Sequence, residues 1–114
     1  MITPSPEIAA IVTRWNEAVR TCDRDTVENL LSRDAALRYV GTASGELWSG
    51  SVLRRGLPDH FAEVPAFSYR NQSTEAFEQG STGWAFWHSD IHFHDTGVTS
   101  EYRITFIFTL ETGA

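Results

Sequence analysis

The chain has little of several residue types, and each shortage excludes a class of protein. Cys22 is the one cysteine among 114 residues, so no disulfide can form within the chain and a reducing, cytoplasmic location is expected. The first residues lack a basic segment followed by an apolar run, which argues against a secretory signal peptide. No stretch reaches the roughly 18 apolar residues of a membrane-spanning helix.

Positive charge is also scarce. Nine basic residues face fifteen acidic ones, for a formal net charge of −6. This balance argues against nucleic acid and anionic membranes as partners, because both need a basic face. The sequence has neither a phosphate-binding glycine loop nor a nucleophile elbow, and no cofactor is expected. The length fits a single domain over 1–114.

The first half of the chain predicts helices. Ser5-Pro6-Glu7 is a helix start, with a serine cap, an early proline and an acid at the positive end of the dipole. Asp23 caps a short second helix. A short strand is expected over 36–40, a loop over 41–45, and a third helix over 50–63 with a kink or break at Pro58. The first helix has an apolar stripe at spacings of three and four, formed by Ile8, Ile11, Val12, Trp15, Ala18, Val19 and Cys22, and a polar face that carries Thr13, Arg14, Asn16, Glu17 and Arg20.

The second half predicts strands. Three segments rich in aromatic and β-branched residues cover 67–77, 83–93 and 99–111, and turn residues separate them. Alternation in the last segment predicts an inward apolar row from Tyr102 to Leu110, and alternation in the middle segment predicts an outward row from His88 to His94. Helices followed by hairpin-linked strands indicate an α+β domain with the helices on one face of an antiparallel sheet.

Several stretches resemble the nuclear transport factor 2-like superfamily, and in detail its SnoaL-like domains. The stretch Trp15-Asn16-Glu17-Ala18-Val19 and the one that begins at Asp23 are similar to its opening helix pair. Leu37-Arg38-Tyr39-Val40-Gly41-Thr42 and Leu47-Trp48-Ser49-Gly50 are similar to its short strand and the entry to its third helix, and Gly83-Trp84-Ala85 to the start of a central strand. The resemblance implies helices packed on the concave face of a curved, cone-shaped sheet. It also implies a bacterial sensory or regulatory role, since similar domains occur alone or fused to nucleotide cyclases and other signalling domains.

Two features depart from that family pattern. Members continue with a further strand where this chain stops, so a C-terminally truncated fragment, or a partner covering the apolar edge, is expected. Ketosteroid isomerases of the superfamily carry a catalytic aspartate near the position of Arg38-Tyr39. No carboxylate lies between Asp34 and Glu46 here, so the base for proton abstraction is lacking. The sequence therefore favours binding over catalysis.

The leading hypothesis is a domain that binds an unknown small apolar or aromatic molecule and forms a homodimer through the outer face of the sheet. Aromatic walls with polar tips suit such a ligand, although each of these side chains could instead fill the core. The expected pocket residues are Trp15, Tyr39, Trp48, His60, Phe61, Trp87 and Tyr102.

Three alternatives stay open. A SnoaL-type isomerase, dehydratase or hydrolase would use His60 or Asp59 for proton transfer, with Tyr39 as a hydrogen-bond donor. An interaction module of a larger signalling protein would use the exposed sheet. In a metal site, His92 and His94 would converge on one ion with Asp90 or His88 assisting, although a polar outer sheet face is the simpler explanation of that row.

Overall fold

The computed structural model describes residues 1–31, 38–40 and 47–110. The chain divides into two units, one formed by Met1–Asn16 with Pro65–Ala114 and the other by Glu17–Val64. None of the helices described is long and apolar enough to cross a membrane. The elements in chain order are β1 (Thr3–Pro4), α1 (Pro6–Thr21), α2 (Arg24–Leu30), β2 (Arg38–Val40), β3 (Leu47–Ser49), α3 (Gly50–Ala62), β4 (Phe67–Gln79), β5 (Thr82–Phe93) and β6 (Thr99–Thr109).

A four-stranded antiparallel sheet in the order β1-β4-β5-β6 dominates the first unit. The three predicted long strands are confirmed, with boundaries within two residues of those expected. The β4–β5 hairpin turns at Gly80 and Ser81, and Gly80 has a φ of +61° that residues with a side chain rarely adopt. The two-residue β1 was not predicted, because its pairing with β4 is non-local.

The start of α1 packs on one face of this sheet. Ser5 caps the helix as predicted, since its hydroxyl oxygen accepts a hydrogen bond from the Ile8 amide at 3.2 Å. Ile8 approaches the sheet so closely that a Cβ added to Gly83 would lie 2.0 Å from Ile8 Cδ1. The buried apolar cluster formed by this contact is Ile8, Val12, Ala76, Ala85 and Trp87. The packing of a helix on one face of the sheet confirms the α+β class.

We call the sheet face under α1 the inner face and the opposite one the outer face. The alternation of β5 is confirmed, because Ala85, Trp87 and Ser89 are buried on the inner face while Phe86 on the outer face is exposed. The predicted β6 row is confirmed on the inner face for its central members, whereas Leu110 at its end lies beyond the strand and is 72% exposed. The central members Ile104, Phe106 and Phe108 pack against the core cluster.

The second unit combines α2 and α3 with the β2–β3 hairpin. Asp23 caps α2 as predicted, accepting from the Thr26 amide at 3.2 Å. Leu47–Ser49 is a strand paired with Arg38–Val40, whereas the sequence had assigned no strand there. The helix α3 runs through Pro58 without the expected break, and Leu57 beside it is fully buried. Burial of this segment offsets the backbone hydrogen bond that proline cannot make.

The end of α1 corrects the prediction for Cys22. The Asp23 amide donates to the Ala18 carbonyl at 2.8 Å, and the Cys22 amide to the Val19 carbonyl at 3.4 Å. This pair of bonds is the Schellman motif, which places the residue after the helix in the left-handed region. Cys22 accordingly has a φ of +57° and is exposed, so it does not continue the buried stripe.

Candidate functional site

An aromatic cluster occupies the middle of the inner face. Trp87 is 2% exposed, and the ring of Tyr69 meets it edge-on at a centroid distance of 5.2 Å. Phe67 meets Tyr69 in a similar geometry at 5.3 Å. Edge-to-face contacts of this kind are favourable for aromatic rings. The cluster therefore presents rigid apolar walls.

The polar groups of Tyr69 and Trp87 both form hydrogen bonds within the protein. The Tyr69 hydroxyl donates to the Asn16 carbonyl oxygen of α1 at 2.7 Å. The Trp87 Nε1–H donates to Gln72 Oε1 at 3.2 Å. Because each hydrogen bond holds an aromatic ring in one orientation, the cluster is pre-organised.

A β-bulge brings Gln72 within reach of Trp87. The register of β4 against β5 shifts between Arg70 and Ser73, so Asn71 and Gln72 together oppose one residue, Ser89. Asn71 adopts a φ of +58°, a left-handed conformation that asparagine tolerates better than most residues. Its side-chain amide donates to Asp90 Oδ2 at 3.1 Å.

One end of the inner face is incompletely covered. Next to the buried Trp87, Ile91 and Phe93 are half-buried, and Tyr102 is 36% exposed. Tyr69 is half-buried as well. The inner face thus changes from a closed core under α1 to an accessible aromatic surface, and that surface is our candidate site.

Asn16 belongs to this site although the sequence placed it on the polar face of α1. Asn16 is 3% exposed, and among the residues that the structure describes its Nδ2 has no hydrogen-bond partner. The spacing of four from Ile8 through Val12 to Asn16 was the signal, since such residues share a helix side. The sequence assignment of Asn16 followed its polarity rather than its spacing, and the prediction that Asn16 lies on the polar face of α1 was wrong.

The other pocket residues expected from the sequence are distributed over both units. Trp15 is half-buried and lies in the first unit with Trp87 and Tyr102. His60 is half-buried and Phe61 buried, and both lie in the second unit. The side chains of Tyr39 and Trp48 lie outside the described residues. The convergence of the whole set on one pocket stays a prediction.

Asp59 and His60, the proposed acid–base pair, lie in different environments. The Asp59 side chain is 66% exposed and forms an ion pair with Arg24 of α2. The hydrogen bond that Arg24 donates to Asp59 raises the pKa of the Arg24 guanidinium above its ordinary value. His60 instead lies beside Phe61, with ring centroids 6.0 Å apart.

His88 and His92 lie on the outer face of β5, as predicted, and His94 lies in the turn that follows the strand. The three histidines contact different neighbours. His88 Nε2 lies 3.3 Å from Glu101 Oε1, and His92 Nδ1 lies 2.8 Å from the Thr99 hydroxyl. His94 Nε2 lies 2.6 Å from the Ser68 hydroxyl. Among the residues that the structure describes, no three His, Cys, Asp or Glu side chains are grouped to hold a metal ion.

The outer face has an apolar end and a charged end. Phe77 and Trp84 form a tilted ring pair at 6.3 Å, and the neighbouring Phe86 and Ile107 are 48% and 81% exposed. Register places all four on the same face, because Trp84 pairs with both Phe77 and Ile107. We call these four residues the outer apolar patch.

The charged end centres on Glu101. Arg103 Nη2 lies 3.0 Å from Glu101 Oε1, and hydrogen bonds from Arg103 and His88 lower the pKa of this carboxyl. An open groove of about 320 Å³ runs between the two ends, and its lining includes Glu75, Phe86, His88 and Arg103. Its lining combines apolar and charged side chains, in contrast to the aromatic inner face.

Comparison with known proteins identifies the architecture. The family model of the SnoaL-like domain matches residues 8–114. A nuclear transport factor 2-like protein of unknown function from Pseudomonas putida KT2440 superposes with a TM-score of 0.79 at 16% identity, covering 95% of this chain and 77% of that one. A candidate SnoaL-like polyketide cyclase from Mesorhizobium loti superposes with a TM-score of 0.52 at 14% identity, covering 93% and 91%. At such identities the likeness shows the fold alone. No curated protein matches the chain significantly.

Proposed function

The chain belongs to the SnoaL-like domain family, and from that premise we propose that it binds a small apolar or aromatic molecule on the inner face of its sheet. Domains of this family are ligand-binding modules or small enzymes. The accessible aromatic end of the inner face carries the proposal. Rigid aromatic walls beside a few fixed polar groups are the usual composition of a small-molecule site.

Binding is favoured over catalysis by the environment of the candidate acid–base groups. Asp59 is an exposed partner of Arg24, and a carboxylate held that way at the surface is poorly placed to take a proton from a bound molecule. The likeness to a candidate polyketide cyclase is too distant to supply a mechanism.

The experiment compares two exposed aromatic residues on opposite faces of the same sheet. Isothermal titration calorimetry of the purified chain with neutral naphthalene derivatives tests for binding. Tyr102→Ser removes an aromatic wall of the inner site, and we expect a loss of affinity of at least fivefold. Phe86→Ser is the matched control on the outer face and should leave affinity unchanged.

Two outcomes would contradict the proposal. If no neutral aromatic compound binds, the inner face is simply an uncovered core. If Phe86→Ser weakens binding and Tyr102→Ser does not, the ligand occupies the outer groove instead.

We further propose that the outer face forms a homodimer interface. Exposed apolar patches of this kind mark association surfaces. The charged end of the same face carries both signs, with Arg70 and Arg103 beside Asp90 and Glu101. A two-fold axis through the face can therefore set opposite charges against each other, as an isologous interface requires.

Analytical ultracentrifugation tests this interface. Ile107→Lys places a charge in the outer apolar patch, and we expect it to convert a dimer into a monomer without lowering the helix and strand content measured by circular dichroism. Thr13→Lys, on the exposed side of α1, is the matched control and should remain dimeric. A monomeric wild-type chain would contradict the interface.

A further inference from the structure

Among the residues that the structure describes, β6 has a strand paired with it on one side only. It is the last strand in the order β1-β4-β5-β6 and extends over Thr99–Thr109. Its pairing with β5 runs along this whole length without a bulge, and the strand contains neither proline nor lysine. Proteins commonly protect edge strands with such features, because a regular edge is a template for another strand.

The opposite edge of the same sheet carries that protection. The strand β1 pairs with Phe77 and Glu78 near one end of β4. The bulge between Arg70 and Ser73 interrupts β4 farther along. A bulge bends the strand and disrupts its regular hydrogen-bonding pattern. In the described part of the chain, β6 is therefore the regular edge of the sheet.

The backbone groups that β6 presents at this edge belong to its odd-numbered residues. The Leu110 amide donates to the Ser81 carbonyl at 2.8 Å, and the Phe93 amide donates to the Val98 carbonyl at 2.9 Å. Even-numbered residues at both ends of the strand thus bond toward β5, and the register between them is continuous. Because bonded and non-bonded pairs alternate in an antiparallel ladder, the odd-numbered residues direct N–H and C=O to the free edge. Their side chains are exposed on the outer face: Thr99, Glu101, Arg103, Thr105, Ile107 and Thr109.

The charges along this edge are complementary to a second copy of the same strand. Glu101 and Arg103 are the two charged residues of β6, and they have opposite signs. An antiparallel pair of β6 strands with its two-fold axis at Tyr102 sets Glu101 of each strand opposite Arg103 of the other. Opposite charges at directly facing positions stabilise a strand pair. An axis at Ile104 would instead set Arg103 opposite Thr105 and leave the charges unmatched.

We propose that the β6 edge pairs with β6 of a second copy over residues 99–105, about a two-fold axis at Tyr102, so that two four-stranded sheets join into one. This interface lies at the edge of the sheet and does not depend on the outer-face dimer or on ligand binding. A strand pair of this length buries less surface than the roughly 1,200 Å² of a stable interface. The association is therefore expected at high protein concentration, above that at which the outer-face dimer forms.

The background variant Phe86→Lys isolates the edge, because it places a charge in the outer apolar patch on β5 and leaves β6 unchanged. In this background, Thr105→Pro removes an N–H that faces the free edge, so the ladder with β5 stays complete. Two hydrogen bonds to Thr99 carbonyls are lost per symmetric pair. Sedimentation equilibrium should show a dissociation constant about fivefold higher or more. Thr105→Ala keeps the N–H and is the matched control.

Charge reversal tests the register. In the same background, Glu101→Lys sets positive charges opposite each other and Arg103→Glu sets negative charges opposite each other. Each variant alone should associate about fivefold more weakly or worse. An equimolar mixture of the two restores opposite charges at both positions and should associate again as mixed pairs. The double variant Glu101→Lys/Arg103→Glu should associate like the Phe86→Lys chain.

Hydrogen exchange on the wild-type chain does not depend on the folding of any variant. At millimolar concentration, the amides of Glu101 and Arg103 should exchange at least about twofold more slowly than in dilute solution, because they become bonded to the second copy. The amides of Ile104 and Phe106, which bond toward β5, serve as references and should not change.

The outcomes are decisive. Absence of association by the Phe86→Lys chain at millimolar concentration would leave the edge to a strand of different sequence and would overturn the proposal. Equal association of Thr105→Pro and Thr105→Ala would also overturn it, as would charge variants that associate normally. Weakening by Thr105→Pro, rescue in the mixture and slower exchange at the edge together support it.

Discussion

Replacing Gly83 with alanine should disturb the contact that docks α1 on the sheet. The new Cβ would lie 2.0 Å from Ile8 Cδ1, 3.4 Å from Ile8 Cγ1 and 3.1 Å from the Phe77 carbonyl oxygen. A carbon–carbon separation of 2.0 Å is far inside van der Waals contact, so Ile8 must leave its position. The Phe77 contact requires only a small adjustment.

The magnitude follows from two opposing terms. Adding a methyl group to a packed core costs about 1–3 kcal/mol. Replacing glycine by alanine also reduces the entropy of the unfolded chain, which stabilises by about 0.4–1 kcal/mol. We therefore expect Gly83→Ala to lower the free energy of unfolding by roughly 1–2 kcal/mol.

A double-mutant cycle in urea denaturation tests the cause of that loss. Ile8→Val removes Cδ1, the atom that the new Cβ would meet, at a cost of about 0.5–1.5 kcal/mol. In the Ile8→Val background, Gly83→Ala should be nearly neutral, so the coupling energy between the two positions is about 1–2 kcal/mol. Gly80→Ala is the control, because it strains a left-handed turn with no atom near the added Cβ.

Additivity would refute the reasoning. If Gly83→Ala costs the same free energy with isoleucine or valine at position 8, the two residues do not contact each other and α1 docks differently. The Gly80→Ala effect should be additive with Ile8→Val in either case.

Three further predictions concern single contacts. Cys22→Gly relieves a left-handed backbone and should raise the free energy of unfolding by about 0.5 kcal/mol, since roughly 1 kcal/mol of strain exceeds the added unfolded-state entropy; no gain over Cys22→Ala would contradict the Schellman geometry. Tyr69→Phe deletes the hydroxyl bound to Asn16 and should cost about 1 kcal/mol in urea denaturation, and a neutral effect would argue against that bond. Arg103→Gln should raise the pKa of Glu101 in an NMR titration. Because the folded pKa of Glu101 is lowered, its contribution to stability is present above the pKa of the unfolded carboxyl and is lost as the pH falls through the folded value. An unchanged pKa of Glu101 in Arg103→Gln would show that the ion pair does not persist in solution.

Local signals explain why much of the fold could be predicted from the sequence. The caps at Ser5 and Asp23 act within one turn of their own helices, and the turn at Gly80 needs only the conformational freedom of glycine. Alternation along β5 assigned Trp87 to the inner face and His88 to the outer face before any partner strand was known. Each of these assignments depends on residues a few positions apart.

The candidate site was predicted only in part, because its features depend on contacts between distant segments. The sequence indicated Trp87 and Tyr102 as wall residues, but it gave no sign that Tyr69 would hold the Asn16 carbonyl 53 positions away. The bulge at Asn71 is likewise visible only when β4 is aligned with β5. Burial of Asn16 contradicts its polarity, so composition alone assigned it to the wrong face.

The sequence by itself therefore determined the order of the helices and long strands, their caps and turns, and the two faces of the sheet, because short-range sterics and periodicity control these features. Tertiary structure alone decided the short strand β1 and the union of Asn16, Tyr69 and Trp87 in one aromatic site. Those features arise where segments far apart in the chain bury surface against each other. The free energy of that burial depends on both segments, so neither segment alone determines it.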